Sequence, residues 1–75
     1  MNKIRRKKIS LALEKLQNLL TEFEQLKDEE DDARENIPDN LENSDGFRLS
    51  EDASDALQDV IDNIQDAIDT IEELT

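Results

Sequence analysis

The residues with chemistry to offer are carboxylates. Of 75 residues, 21 are Asp or Glu and only 9 are Lys or Arg, a net charge of −12. Two groups stand out. One is the block Asp28, Glu29, Glu30, Asp31 and Asp32, with Glu35 just beyond it. The other is the row Asp52, Asp55, Asp59, Asp62, Asp66, Asp69 and Glu73, whose spacings alternate between 3 and 4. On a helix that alternation draws one line along one face. Such a line can bind a basic surface, share a divalent cation weakly, or do acid–base work.

Acid–base catalysis needs carboxylates held in a pocket beside other reactive groups. The chain has no histidine and no cysteine. That removes Ser-His and Cys-His nucleophiles, disulfides and Cys or His metal sites. The only loop with a calcium-like cadence is Asn43-Ser44-Asp45-Gly46, with Asp52 six residues after the glycine. Its first ligand position falls on Leu41, which cannot coordinate, and Arg48 stands where an apolar residue belongs. An EF-hand is rejected. The expectation is a protein that is not an enzyme and takes no cofactor or metal.

The row on 52–73 differs from an ordinary solvent face in two ways. It contains no cation, whereas solvent faces usually alternate sign to gain i,i+4 pairs. It also favours aspartate, which costs ~0.3–0.5 kcal/mol per residue against better helix formers. Short side chains hold charge close to the backbone. The result is a row of anions about 5 Å apart along the helix, within the range of spacings along a nucleic-acid backbone. The plainer alternative is that the acids confer solubility.

The elements that carry these acids are legible from periodicity. Ile9, Ala12, Leu16, Leu19, Phe23, Leu26, Glu30, Ala33 and Ile37 recur at 3 and 4, with Leu13 and Leu20 widening the stripe. Pro38 ends the pattern. The reading is a first helix over about 3–36, roughly 50 Å long. Ala53, Leu57, Val60, Ile64, Ala67, Ile71 and Leu74 repeat the pattern, widened by Ile61 and Ile68, and backward extension places Phe47 and Ser54 in line with those two. The second helix is read as 45–74, capped by Ser44, with Ser50 as the fallback start. Gly46 weakens its first turn. Residues 37–43 connect the two, with Ile37 and Leu41 as anchors.

The fold class is therefore all-α: one domain over 1–75, an antiparallel two-helix hairpin with a basic arm at 1–8. A hairpin this small leaves apolar surface uncovered, which favours a homodimer, as a four-helix bundle or coiled coil. Leu16, Leu19, Phe23, Leu57, Ile64 and Ile71 are the expected self-association residues.

Charge is polarised along the chain. Residues 1–27 hold seven bases and three acids; residues 28–75 hold two bases and 18 acids. Lys3, Arg5, Arg6, Lys7 and Lys8 form a cluster that suggests nucleic acid or a membrane surface. The acids on the same small molecule oppose that, so direct nucleic-acid binding is not expected. An antiparallel hairpin would also bring Glu72 and Glu73 toward the cluster and neutralise part of it. No run approaches the ~18 apolar residues of a membrane span.

Several sequence features occur together: Lys27-Asp-Glu-Glu30, Asn36-Ile-Pro-Asp-Asn-Leu41, Ser44 with Phe47, Ala53, Asp55-Ala-Leu57, Ile61-Asp62 and Ala67-Ile-Asp69. With them the chain resembles a family of very small acidic helical proteins encoded by phages and integrated elements of Gram-positive bacteria. The resemblance implies a mobile-element product in a bacterial cytoplasm and carries no assigned site. Small acidic phage proteins include inhibitors of host defence that mimic nucleic acid, of anti-CRISPR or anti-restriction type. Channels in such nucleases are strongly positive. The expected function is binding of a basic protein partner, such as a host nuclease, through Asp28, Glu29, Asp31, Asp32, Asp52, Asp55, Asp59, Asp62, Asp66 and Asp69. The alternative is a structural or adaptor module acting through its apolar seam.

Overall fold

A computed structural model describes residues 1–75. It contains α1 (Lys3–Glu35) and α2 (Asp45–Glu72), joined by a turn with one 3-10 segment at Asp39–Leu41. The two helices pack against each other as a hairpin measuring 60 × 14 × 12 Å.

Local chemistry sets the ends. α1 has no acid in its first turn, and its basic residues oppose the helix dipole. Its start is held by Asn2, whose side chain accepts the Arg5 N–H at 2.8 Å. α1 ends at Asn36, before Pro38, and the Leu41 N–H donates to the Pro38 carbonyl at 2.8 Å. Ser44 caps α2, accepting the Phe47 N–H at 3.2 Å, with Asp45 at the positive end of the dipole. The helix runs from Asp45 through Gly46 without a positive φ. Ser44, not Ser50, is the start.

Hydrogen bonds from Ser54 to Asp31 and from Arg34 to Ser50 fix the register between the helices. That register sets Leu16 level with Ile68, Leu20 with Ile64 and Phe23 with Ile61. Five of these are half-buried, and Ile68, 2% exposed, is the single fully buried apolar side chain. One interface between two helices hides one stripe of each.

The hidden stripes are not quite those the spacing suggested. On α1 they are Ile9, Leu13, Leu16, Leu20 and Phe23, continuing through Lys27, Glu30 and Arg34. Leu19 and Leu26, expected in the seam, stay 44% and 47% exposed, and Ala12 and Ala33 are exposed too. On α2, Phe47, Ser54, Ile61 and Ile68 turn inward beside the expected Leu57, Ile64 and Ile71, with Ala53 and Val60 half-buried too, whereas Ala67 and Leu74 are exposed. Each helix carries two adjacent apolar stripes, and the hairpin can bury only one of them. On α2 the stripe with Phe47, Ile61 and Ile68 removes more apolar area from water than the one with Ala53 and Ala67. An antiparallel pair turns like flanks to the same side, so α1 must rotate with it. The flanking stripes then share one broad side of the hairpin: exposed Leu19 and Leu26 of α1 with half-buried Val60 and exposed Leu74 of α2.

The turn has one anchor rather than two. Ile37 is half-buried, but Leu41 is 47% exposed, because the 3-10 segment points it outward. The register also corrects the expected neutralisation of the basic cluster. Glu72 lies level with Ala12, short of Lys3–Lys8, and no ion pair joins them. No helix is long and apolar enough to cross a membrane.

Candidate functional site

The row on α2 sits opposite its inward stripe. Asp52, Asp55, Asp59, Asp62, Asp66, Asp69 and Glu73 are all exposed and face away from α1. The spacing of 3 and 4 that keeps Ile61, Ile64 and Ile68 inward keeps these acids outward. Two of them are steadied by neighbours one turn back along the helix. Gln58 Nε2 donates to Asp62 Oδ1, and Gln65 Nε2 donates to Asp69 Oδ1, each at 2.9 Å. None of the seven meets a cation. The whole molecule has two ion pairs, and both end on Asp31.

Asp31 is therefore not part of the outward anionic surface on which the sequence placed it. It turns toward α2 and becomes the centre of a polar lock. Its Oδ2 accepts from Lys27 Nζ at 2.8 Å; its Oδ1 accepts from Ser54 Oγ at 2.6 Å and Arg34 Nη2 at 2.9 Å. Arg34 Nη1 spans the interface to donate to Ser54 Oγ at 2.7 Å and to the Ser50 carbonyl at 3.1 Å. The hydrogen bond from Lys27 and then that from Ser54 hold the Asp31 carboxyl well below the usual carboxylate range, and Arg34 adds to them. Ser54, only 5% exposed, has its oxygen both accepting and donating, so nothing polar is buried unpaired. Asp28, Glu29 and Asp32 do remain exposed, on the outer surface of α1.

The sequence places Ser54 in line with Ile61 and Ile68 and offers Ser50 as a helix start, but gives neither serine, nor Lys27 or Arg34, a part in a polar contact. A signal for them exists. Lys27 and Arg34 continue the seven-residue recurrence of Leu13 and Leu20, so they had to point inward. Two inward cations call for partners, and Asp31 and the inward serines of α2 are the groups within reach.

Of the six expected self-association residues, Leu16, Phe23, Leu57, Ile64 and Ile71 are half-buried along the interface within the hairpin. Only Leu19 lies on the free apolar side. The opposite broad side is polar. It holds one shallow, open depression of about 210 Å³ lined by Glu24, Lys27, Asp28, Gln58 and Ile61. No three carboxylates converge closely enough to hold a metal ion. What the surface offers is a straight line of fixed acceptors on a rigid helix.

Comparison with protein-family models, curated proteins and solved structures gives no match for this chain.

Proposed function

We propose that this protein is a non-catalytic binding protein. Its α2 acid row occupies a basic groove on a partner protein, and the partner class it fits best is a nucleic-acid-binding enzyme such as a host defence nuclease. One observation carries the reading: seven exposed acids in line on one helix, with no cation paired to any of them. Stability does not account for that line, since like charges one turn apart repel. A groove built for phosphates supplies the missing cations, and its field speeds the encounter. Asp28, Glu29 and Asp32 extend the anionic surface onto α1. Asp31 is left out, because its charge is already met by Lys27 and Arg34. An inhibitor of this kind fits a mobile-element product acting inside a bacterial host.

The test is affinity capture from nuclease-treated lysate of a Gram-positive bacterium, with wild type and a row variant as baits. The variant carries Asp→Asn at Asp55, Asp59, Asp62, Asp66 and Asp69. The expected result is a nucleic-acid-binding enzyme held by wild type alone and released by added duplex DNA. Equal capture by both baits overturns the reading.

A further inference from the structure

We propose that the free apolar side of the hairpin is covered by a second copy of this chain, turned end for end, giving an antiparallel four-helix bundle. The monomer leaves that side open: Leu19, Leu26 and Leu74 are 44%, 47% and 50% exposed. A hairpin side of 60 by 14 Å offers about 800 Å², the area each partner brings to a standard stable interface.

The rim charges choose the occupant and its direction. Beside the free leucines of α1, Lys8, Lys15, Glu22 and Glu29 recur every seven residues along the outer edge, all exposed and none ion-paired. Bases fill the first half of the edge and acids the second. A two-fold axis near Leu19 sets Lys8 opposite the partner's Glu29 and Lys15 opposite the partner's Glu22, so all four rim charges of each copy are matched. The same axis stacks Leu19 on the partner's Leu19 and sets Ala12 against the partner's Leu26. On α2 it falls near Gln65, the residue level with Leu19, between Val60 and Ala67 of the free side. On α1 the axis thus sets small against large at Ala12 and Leu26.

A same-end dimer does less. It lays α1 on the partner's α2, whose corresponding edge, Leu49, Ala56, Asn63 and Thr70, is uncharged. It also brings the two acidic turns together. The end-for-end arrangement does set the two α2 helices side by side. Their aspartate rows point outward, however, more than a Debye length of about 8 Å apart at physiological salt. The row stays outside the contact and Glu29 is the one acid the two surfaces share, so variants of the row and variants of Lys15 and Glu22 keep loss of partner binding and loss of the dimer separate.

The test is the mass of the full-length chain in solution, with helicity followed by circular dichroism. Wild type is expected at twice the 8.6 kDa of one chain. Lys15→Glu and Glu22→Lys, each leaving like charges opposed, are expected as helical monomers. Mixing the two is expected to restore a dimer containing one of each. Leu19→Cys is expected to link to itself under mild oxidation. A monomeric wild type overturns the proposal. So does a dimer in which Leu19→Cys links to Ala67→Cys but not to itself.

Discussion

Ser54 Oγ donates to Asp31 Oδ1 at 2.6 Å while accepting from Arg34 Nη1 at 2.7 Å. One hydroxyl on α2 thus joins an acid and a base that stand one turn apart on α1. In a hairpin with one fully buried apolar side chain, this contact takes the place of core at the turn end. Ser54→Ala leaves both partners short of a hydrogen bond in a covered place. It is expected to cost about 1–3 kcal/mol by urea denaturation. A loss no larger than that of an exposed serine such as Ser10→Ala would show the lock to be idle.

Acid should reveal the same contact. The Asp31 carboxyl titrates below its unfolded value of about 3.9, held there first by Lys27 and then by Ser54. A depressed folded pKa adds stability that is fully present above the unfolded value and fades as pH falls toward the folded one. The gap in Tm between wild type and Asp31→Asn is expected to be constant from about pH 7 to 5 and to close below about pH 4. A gap that persists undiminished to about pH 2 contradicts the assignment.

Ile68 is expected to be the apolar residue whose truncation costs most. Ile68→Ala removes the only fully buried apolar side chain and is expected to cost about 2–5 kcal/mol. Leu49→Ala, at a site 68% exposed, is expected to stay within about 0.5 kcal/mol of wild type. Chemical denaturation of both variants checks the ranking.

Salt should raise stability rather than lower it. Within one chain Asp31 is the only acid in an ion pair, so the acids of the α2 row mostly repel one another. Raising ionic strength from about 0.01 to 1 M shortens the Debye length from about 30 to 3 Å, and Tm is expected to climb. Asp59→Asn with Asp66→Asn should raise Tm at low salt and flatten that climb, since Asp and Asn have similar helix propensity. A Tm that falls with salt would mean that attraction, not repulsion, governs this surface.

The helices, their caps at Ser44 and their stop at Pro38 were legible because each rests on local chemistry that one segment carries by itself. The choice of face was not. Leu13 and Leu19 belong to neighbouring stripes of equal apolar quality, and only the demand of α2 to bury Phe47, Ile61 and Ile68 breaks the tie. Asp31 was misplaced for a related reason. Counting it among five consecutive acids hid the fact that Lys27 and Arg34, one turn to either side, face inward with it. The row on α2 was legible throughout, because a period of 3 and 4 fixes which residues share a face once the helix exists.

The lock's place in the chain bears on how the hairpin closes. Asp31 and Ser54 are 23 residues apart, and Arg34 and Ser50 are 16 apart, whereas Leu16 must find Ile68 across most of the sequence. Loop closure grows costlier with length, so the polar contacts near the turn form before the apolar ones near the open end. Folding is then expected to proceed as a zipper from the turn at Pro38. Ser54→Ala should slow refolding, and Ile68→Val should chiefly speed unfolding.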